Sequence, residues 1–380
     1  MKKLKMVISL AVVFLLMALP MFAKGQQDKA DDIVTITFVD TDAGANIQLL
    51  FREVVIPEVE AKHNIRVNYI TANGPEMLQR VKGWGDREGD IALLHVKPQD
   101  ATAFFGSDIP LVRLTDHLDL ISNLAKVNAD VMKTVLGLDI NGRATSMFRF
   151  TMALMYDSAK VSNPPRSWKE LYDRREEWKG RIGFVRTDAQ STGGRRMMYE
   201  FMTAFGVDFS KPLDQILNSP EYKVATDAWK DLAANFNKPA ASSAPILFQK
   251  FSDGDVWLAQ FALDFTLSSR DQGMLPPTVK GMLLQEGHSG GANGYFIIPE
   301  NIDSRQKQAA MQVINVALSN DVQQKMAERF YLYPSTDIED ELPESLWEIV
   351  PPLADLDVMP ILSNDWMNYI LEKGMDYIPQ

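Results

Sequence analysis

The sequence predicts an α/β protein of two domains, each a mainly parallel sheet flanked by helices, and three observations carry that expectation. Segments with strand and helix patterning alternate along most of the chain, an order that favours parallel strands covered by helices. About 355 residues remain beyond a hydrophobic leader, and single cores stop growing near ~250–300 residues. There is no cysteine among the 380 residues, so with 46% apolar content the cores hold by burial alone, without disulfides or thiolate metal sites.

The first element, "IVTITFVDTDAG" (33 to 44), alternates apolar and polar residues and breaks at Asp40-Thr41-Asp42, as a strand running into a turn does. "ANIQLLFREVVIPEVEAKHN" follows with helical spacing, then a strand "IRVNYI" (65 to 70), a helix in "TANGPEMLQRVKGWG" and a short buried strand "GDIALLHV" (89 to 96). Later strands are expected in "TSMFRFTMALMYD" (145 to 157), "RIGFV" (181 to 185), "VWLAQFA" (256 to 262) and "GYFIIP" (294 to 299). Helices between them are expected in "SWKELYDRREEW", "GRRMMYEFMTAFG", "SPEYKVATDAWKDLAANF" and "SRQKQAAMQVINVALS". "NKPAASSAP" (237 to 245) is a short loop, "DIEDELPE" (337 to 344) reads as a solvated turn, and no internal repeat is apparent.

The leader itself has the order of a secretory signal peptide. Lys2, Lys3 and Lys5 precede a 14-residue apolar run, Met6 to Leu19, and Ala23 offers a small residue before a hydrophilic stretch. That run is shorter than the roughly 20 residues a spanning helix needs. Cleavage near Ala23 delivers a periplasmic or extracellular product; an uncleaved anchor is the alternative. The formal charge of −11 becomes −14 once the three leader lysines are removed, which argues against nucleic acid as a partner.

"TMALMYDSAKVSNPPRSWKELYDRREEWKGRIGF" (151 to 184), "DAQSTGG" (188 to 194), "FSDGDVWLAQ" (251 to 260), "GYFIIPENI" (294 to 302) and "ALSNDVQQKMAERFYLYPS" (317 to 335) occur in an order and spacing that resembles the extracellular (periplasmic) solute-binding proteins of bacterial ABC importers. The similarity is to the group that carries polyamines, thiamine, ferric iron and phosphonates. It implies a type II periplasmic-binding-protein fold, two α/β lobes joined by crossing hinge strands that close on a solute. It implies lobe 1 at 31–147 plus 265–317 and lobe 2 at 148–264 plus 318–380. It also implies an inner-membrane ABC permease as partner and a monomeric receptor without cofactor or metal.

Candidate ligand residues lie just past the strands, where open α/β sheets bind ligands. Asp40, Thr41 and Asp42 follow the first strand, Asn73 the second, and His95 closes the third. Asx residues also favour turns for local reasons. Asp188, Ser191, Thr192 and Gly193 would open a helix toward the cleft, where unpaired N–H groups attract anions; an ordinary N-cap is the competing reading. Arg195 and Arg196 in a first turn oppose the helix dipole, so one contacts an anion, or Arg196 pairs with Glu200 at i,i+4 and Arg195 with Asp188 or solvent. Arg149 falls on the expected crossing strand, with Asn293 and Tyr295 flanking the returning one. The polyamine-binding relatives carry an aromatic and an aspartate at the spacing of Phe261 and Asp264, but a second family aspartate falls on Gly294 here.

An exported hydrolase is the rival reading. His63, His95, His117 and His288 show no HExxH spacing, and no GxSxG elbow occurs. Tyr331 and Tyr333 do not stand where ferric relatives place their tyrosines, which disfavours iron. Arg149 and residues 191–196 favour an acidic group, while Asp40, Asp42 and Asp264 favour a cation, so a zwitterion satisfies both.

Overall fold

The structure, a computed structural model, describes residues 33–42, 44–189, 191–347, 350, 359 and 363–379. The expected signal peptide lies outside them. No helix among the described residues is long and apolar enough to cross a membrane.

In chain order the strands are β1 Val34–Asp40, β2 Ile65–Thr71, β3 Leu93–Val96, β4 Thr134–Val135, β5 Leu138–Asp139, β6 Thr145–Ser146 and β7 Phe148–Asp157. They continue with β8 Ile182–Gly183, β9 Leu258–Ala262, β10 Val279–Met282, β11 Gly290–Ala292, β12 Tyr295–Ile297 and β13 Tyr333–Pro334. One sheet has the order β2-β1-β3-β12-β6 and another runs β10-β7-β9-β8.

The sheets are mixed, a correction to the mainly parallel arrangement expected of both. β1 runs parallel to β2 and β3, and β8 parallel to β9, each linked through helices. β12 is antiparallel to β3 and β6, and β7 to β9 and β10. Alternating strand and helix signals identify crossovers but not the direction of a strand that returns from the other lobe.

The strand β7 follows β6 of the first sheet after one residue and carries the chain into the second. Its first residues pair with β13 (Phe148 with Pro334, Arg149 with Tyr333) and with β11 (Arg149 with Ala292 through Thr151 with Gly290). From Met152 onward it pairs with β9 and β10 inside the second sheet. The segment read as "FYLYPS" therefore contributes β13 to this junction.

Where the chain changes sheets differs from the expected division at 264/265 and 317/318. Leu263–Asp271 is a helix packed on β7, β9 and β10, and Val279–Met282 pairs with β7, so these residues go with the second sheet. Asn320–Phe330 buries Val322, Met326 and Phe330 in the core of the first. The four residues of β10 have no alternating pattern and follow Pro276-Pro277, so the sequence reads there as loop.

Each sheet has its own core. The first is built on Phe38, Phe51, Tyr69 and Phe296, with Phe38 and Phe51 edge to face at 4.9 Å. The second stacks Trp168, Phe184, Phe201, Trp229 and Phe236, with Phe184 and Phe236 ring centroids 5.0 Å apart. Fully burying one such side chain stabilises by ~1.5–3 kcal/mol.

Helix starts follow local chemistry. Asn73, Ser167, Ser219 and Ser363 each accept a backbone N–H three residues on. After β1 the chain is helical from Ala45–Leu50 through a π turn at Phe51–Val55 into Ile56–Lys62. The wide turn stands just before Pro57, which has no N–H to give to a regular helix.

Candidate functional site

The turn after β1 is held from beneath. Asp40 is fully buried and accepts from Tyr69 Oη (2.6 Å) and from the Asp42 N–H (2.9 Å), while His95 Nδ1 lies 2.9 Å from Asp40 Oδ1. His95 is itself buried among Phe51, Phe148 and Phe296. Thr41 donates to Asp100 Oδ2 (3.0 Å). Asp40, Thr41 and His95 thus support the turn, and Asp42 is the side chain left at its half-buried rim. Burial pushes the Asp42 carboxyl up; His95 and Lys97 oppose that shift, and Asp40 and Asp100 add to it. Asn293 Nδ2, just ahead of β12, donates to Asp42 Oδ2 (2.9 Å).

Gly294 has φ +72°, and a Cβ there would lie 2.1 Å from His95 Nε2. An aspartate at this position would collide with the imidazole, which gives a physical reason for the missing family carboxylate.

From the second sheet, Asp264 opens the helix Leu263–Asp271 at the end of β9. It is 6% exposed and accepts from Asn46 Nδ2 at 2.7 Å, while its Oδ1 has no side-chain hydrogen-bond partner. Asn46 sits in the first turn of the helix that follows β1, so this bond joins the two sheets' elements. Burial pushes Asp264 up to about 7; the Asn46 hydrogen bond and the Phe265 and Asp264 backbone N–H groups hold it down, and Asp42 adds to the rise.

An aromatic path connects this point with the loop that begins at Asp188. A Cβ on Gly44 would lie 3.9 Å from the Phe265 ring, Phe265 and Phe261 have centroids 5.8 Å apart, and a Cβ on Gly193 would lie 2.8 Å from Phe261. The turn near Asp40 and the loop near Asp188 are therefore linked through one run of packed aromatic rings.

Gly193 and Gly194 start the helix Gly193–Ala204 under packing constraints. A Cβ on Gly194 would approach Val185 O to 1.9 Å, a backbone clash with no escape. Thr192 at the N-cap makes no capping side-chain bond; Ser191 Oγ accepts from the Gly193 N–H at 3.3 Å.

The two arginines divide. Arg195 turns inward and donates to Thr187 O and Ala189 O (2.5 and 3.0 Å). Arg196 stays half-buried, its guanidinium 4.7 Å above the Phe150 ring of β7 and its Nε 3.4 Å from Thr192 Oγ1. Burial lowers Arg196 to about 10, with Glu200 one turn on opposing the shift. Glu200 is fully buried and accepts from Ser289 N–H (2.6 Å), Ser289 Oγ (2.5 Å) and Gln260 Nε2. Burial raises its carboxyl to about 7.

Of the sequence-derived residues, Asp42 is bonded to Asn293, Asp264 to Asn46, and Gly193 packs on Phe261 beside Ser191 and Thr192. Asp40, Thr41 and His95 lie beneath the Asp42 turn. Arg149 does not join them: it alternates with Phe150 along β7, pairs with Asp130 (2.7 Å) and lines a separate depression of ≈ 230 Å³ with Asn128, Tyr333 and Thr336. Asp188 is exposed and paired with Arg186, which holds its carboxyl below the usual range. Asn73 caps its own helix, and Tyr295 is buried in the first body.

Asn46, Phe265, Gln260 and Ser289 are not marked by any sequence motif, and Glu200 is marked only as a helical neighbour of Arg196. Of the first four, Asn46 alone carries a weaker signal, a polar residue in a first helical turn directly after a strand-end turn.

These lobes, crossing strands and linked loops define the class of proteins that trap a ligand between two α/β bodies. The family described as bacterial extracellular solute-binding protein matches residues 55–347, and the chain belongs to it. No curated protein matches. Among solved structures, maltose-bound MalE3 of T. maritima aligns with TM-score 0.71 at 18% identity over 90% of this chain and 95% of that one. An extracellular solute-binding protein from Bordetella parapertussis gives 0.70 at 13%, over 92% and 98%. The spermidine/putrescine substrate-binding protein PotD of Streptococcus pneumoniae gives 0.69 at 14%, over 90% and 98%. At these identities the likeness concerns the fold. The protein is thus an extracellular solute-binding protein, which implies export from the cytoplasm.

Proposed function

We propose that this receptor captures a small organic solute bearing both a cationic and an acidic group, in the cleft between its two lobes, without chemical turnover. Asp42 and Asp264 face the cationic group, oriented by Asn293 and Asn46. Arg196 and the start of the helix at Gly193, with Ser191 and Thr192, face the acidic one. What supports this reading is a buried carboxylate, Asp264, whose Oδ1 makes no side-chain hydrogen bond, and a half-buried Arg196 guanidinium with no ion pair within 4.0 Å among the described residues, on elements linked by the packing of Phe265, Phe261 and Gly193. Buried charge without a counter-charge is costly, so an amphoteric ligand relieves both ends.

The mature protein is a monomer released near Ala23 into the periplasm or the extracellular space, and nucleic acid is not a partner. Mass spectrometry of small molecules that copurify with the protein, followed by calorimetry with the identified compound, tests the reading. Asp264→Ala and Arg196→Ala are each expected to weaken binding at least tenfold. Unchanged affinity in both variants removes these residues from the site. Turnover of a chromogenic ester or phosphate would point to an enzyme instead.

A further inference from the structure

Asp264 and Asn46 meet across the lobe boundary through a 2.7 Å hydrogen bond that is buried on both sides. Asn46 Oδ1 is occupied by the Ile47 N–H (3.0 Å), which leaves its Nδ2 to point at Asp264. The bond exists only while the helix starts after β1 and β9 are in contact.

We propose that Asn46 and Asp264 form a latch between the lobes, and that the empty cleft closes with uptake of one proton on the Asp264 carboxyl. The proposal rests on the two-lobed cleft described above and adds its regulation by pH. In this contact Asp264 is buried with Oδ1 lacking a side-chain partner, and that burial outweighs the Asn46 amide and the Phe265 and Asp264 N–H groups that favour the anion. The ionisable groups facing it disfavour the anion or leave it uncompensated: the Asp42 carboxylate from the turn after β1, and the Tyr333 phenol from β13. Near Asp264 the contacts from β7, β10 and the helix Asn320–Phe330 are uncharged, being Met155 on Thr266, Gly281 against Leu263 and the Phe330 carbonyl on Ser268; the charged Arg270 and Asp271, the latter bonded by the Tyr331 phenol, stand at the far end of the helix.

The sign follows from the two states. The carboxyl has an ordinary value of 3.8 and lies at about 7 in the closed arrangement. With a closed-state value above the open one, closure is unopposed below about 4, grows harder by about tenfold per pH unit up to about 7, and is constant above that. A solute that brings a positive charge to Asp264 takes the place of the proton.

Because the sequence has no cysteine, two introduced ones report alone. Ala103→Cys and Glu372→Cys stand on helices from the two lobes that border a common depression at Thr102, Ala103, Leu138 and Asn364. Spin labels on these sites, read by double electron–electron resonance without solute, are expected to show mostly short distances at pH 5 and mostly long ones at pH 7.5. Asp264→Asn, or Asp264→Ser should the first not fold, is expected to remove that pH dependence, and Glu200→Gln is expected to keep it. A distance distribution equal at the two pH values overturns the proposal. So does pH dependence that survives in the Asp264 variant or disappears in Glu200→Gln. The measurement uses no ligand, so it fails or succeeds independently of calorimetry on the solute.

Discussion

At the residue scale, the least replaceable position near the site is a glycine. Gly294 combines a left-handed backbone with a Cβ direction that points into His95. Gly294→Ala is expected to destabilise by about 2–4 kcal/mol, from backbone strain together with displacement of a packed imidazole. Urea unfolding measures it, and a loss under 1 kcal/mol would contradict the geometry. Glu200 gives a second residue-scale expectation. Its carboxyl lies at about 7 against an ordinary 4.5, so the native state is penalised as pH rises from about 4.5 to about 7, by up to ~1.4 kcal/mol per pH unit. Glu200→Gln removes that slope, as denaturation midpoints at pH 5 and 7.5 would reveal. In the sequence Gly294 is visible only as a missing aspartate, and the burial of Glu200 is not visible at all. Glu200 looked like the surface partner of Arg196 four residues earlier, because helical spacing records which residues share a face but not what covers that face.

At the element scale, patterning served best where segments were long. The strands at β1, β2, β7, β9 and β12, and the helices Pro220–Ala233 and Ser304–Ala317, lie where periodicity places them. The short β10 and β13 have too few residues to alternate, and strand direction depends on connections that no local signal encodes. The start of the helix Gly193–Ala204 illustrates a motif with two explanations. Its glycines suit a ligand's approach, yet Gly194 is required by Val185 O and Gly193 by Phe261. Gly194→Ala should push the helix off the end of β8, costing about 2–3 kcal/mol and weakening solute binding as well. Binding lost with stability unchanged would show that the glycine serves the ligand directly. In the second core, Trp229→Ala should cost ~3–5 kcal/mol, since the ring is fully buried against Phe184, Phe201 and Phe236.

At the scale of the whole molecule, β7 is a strand of the second sheet whose first residue, Phe148, is buried in the first core, so neither lobe unfolds without disturbing a segment the other needs. Calorimetry of the free protein is expected to give one dominant transition, moved upward by solute according to its concentration over Kd. Two well-separated transitions would mean that β7 couples the halves weakly. The two-lobed plan was legible because it rests on order and length. The division between lobes was not, since it depends on which of several short strands carries the chain back.

That return also governs the timing of biogenesis. The first core needs β12 and the helices Ser304–Ala317 and Asn320–Phe330, so an emerging chain holds only part of it until most of the polypeptide has been made. For a protein destined for export, this late completion keeps the nascent N-terminal half from locking into a compact body that would resist threading through a secretion channel.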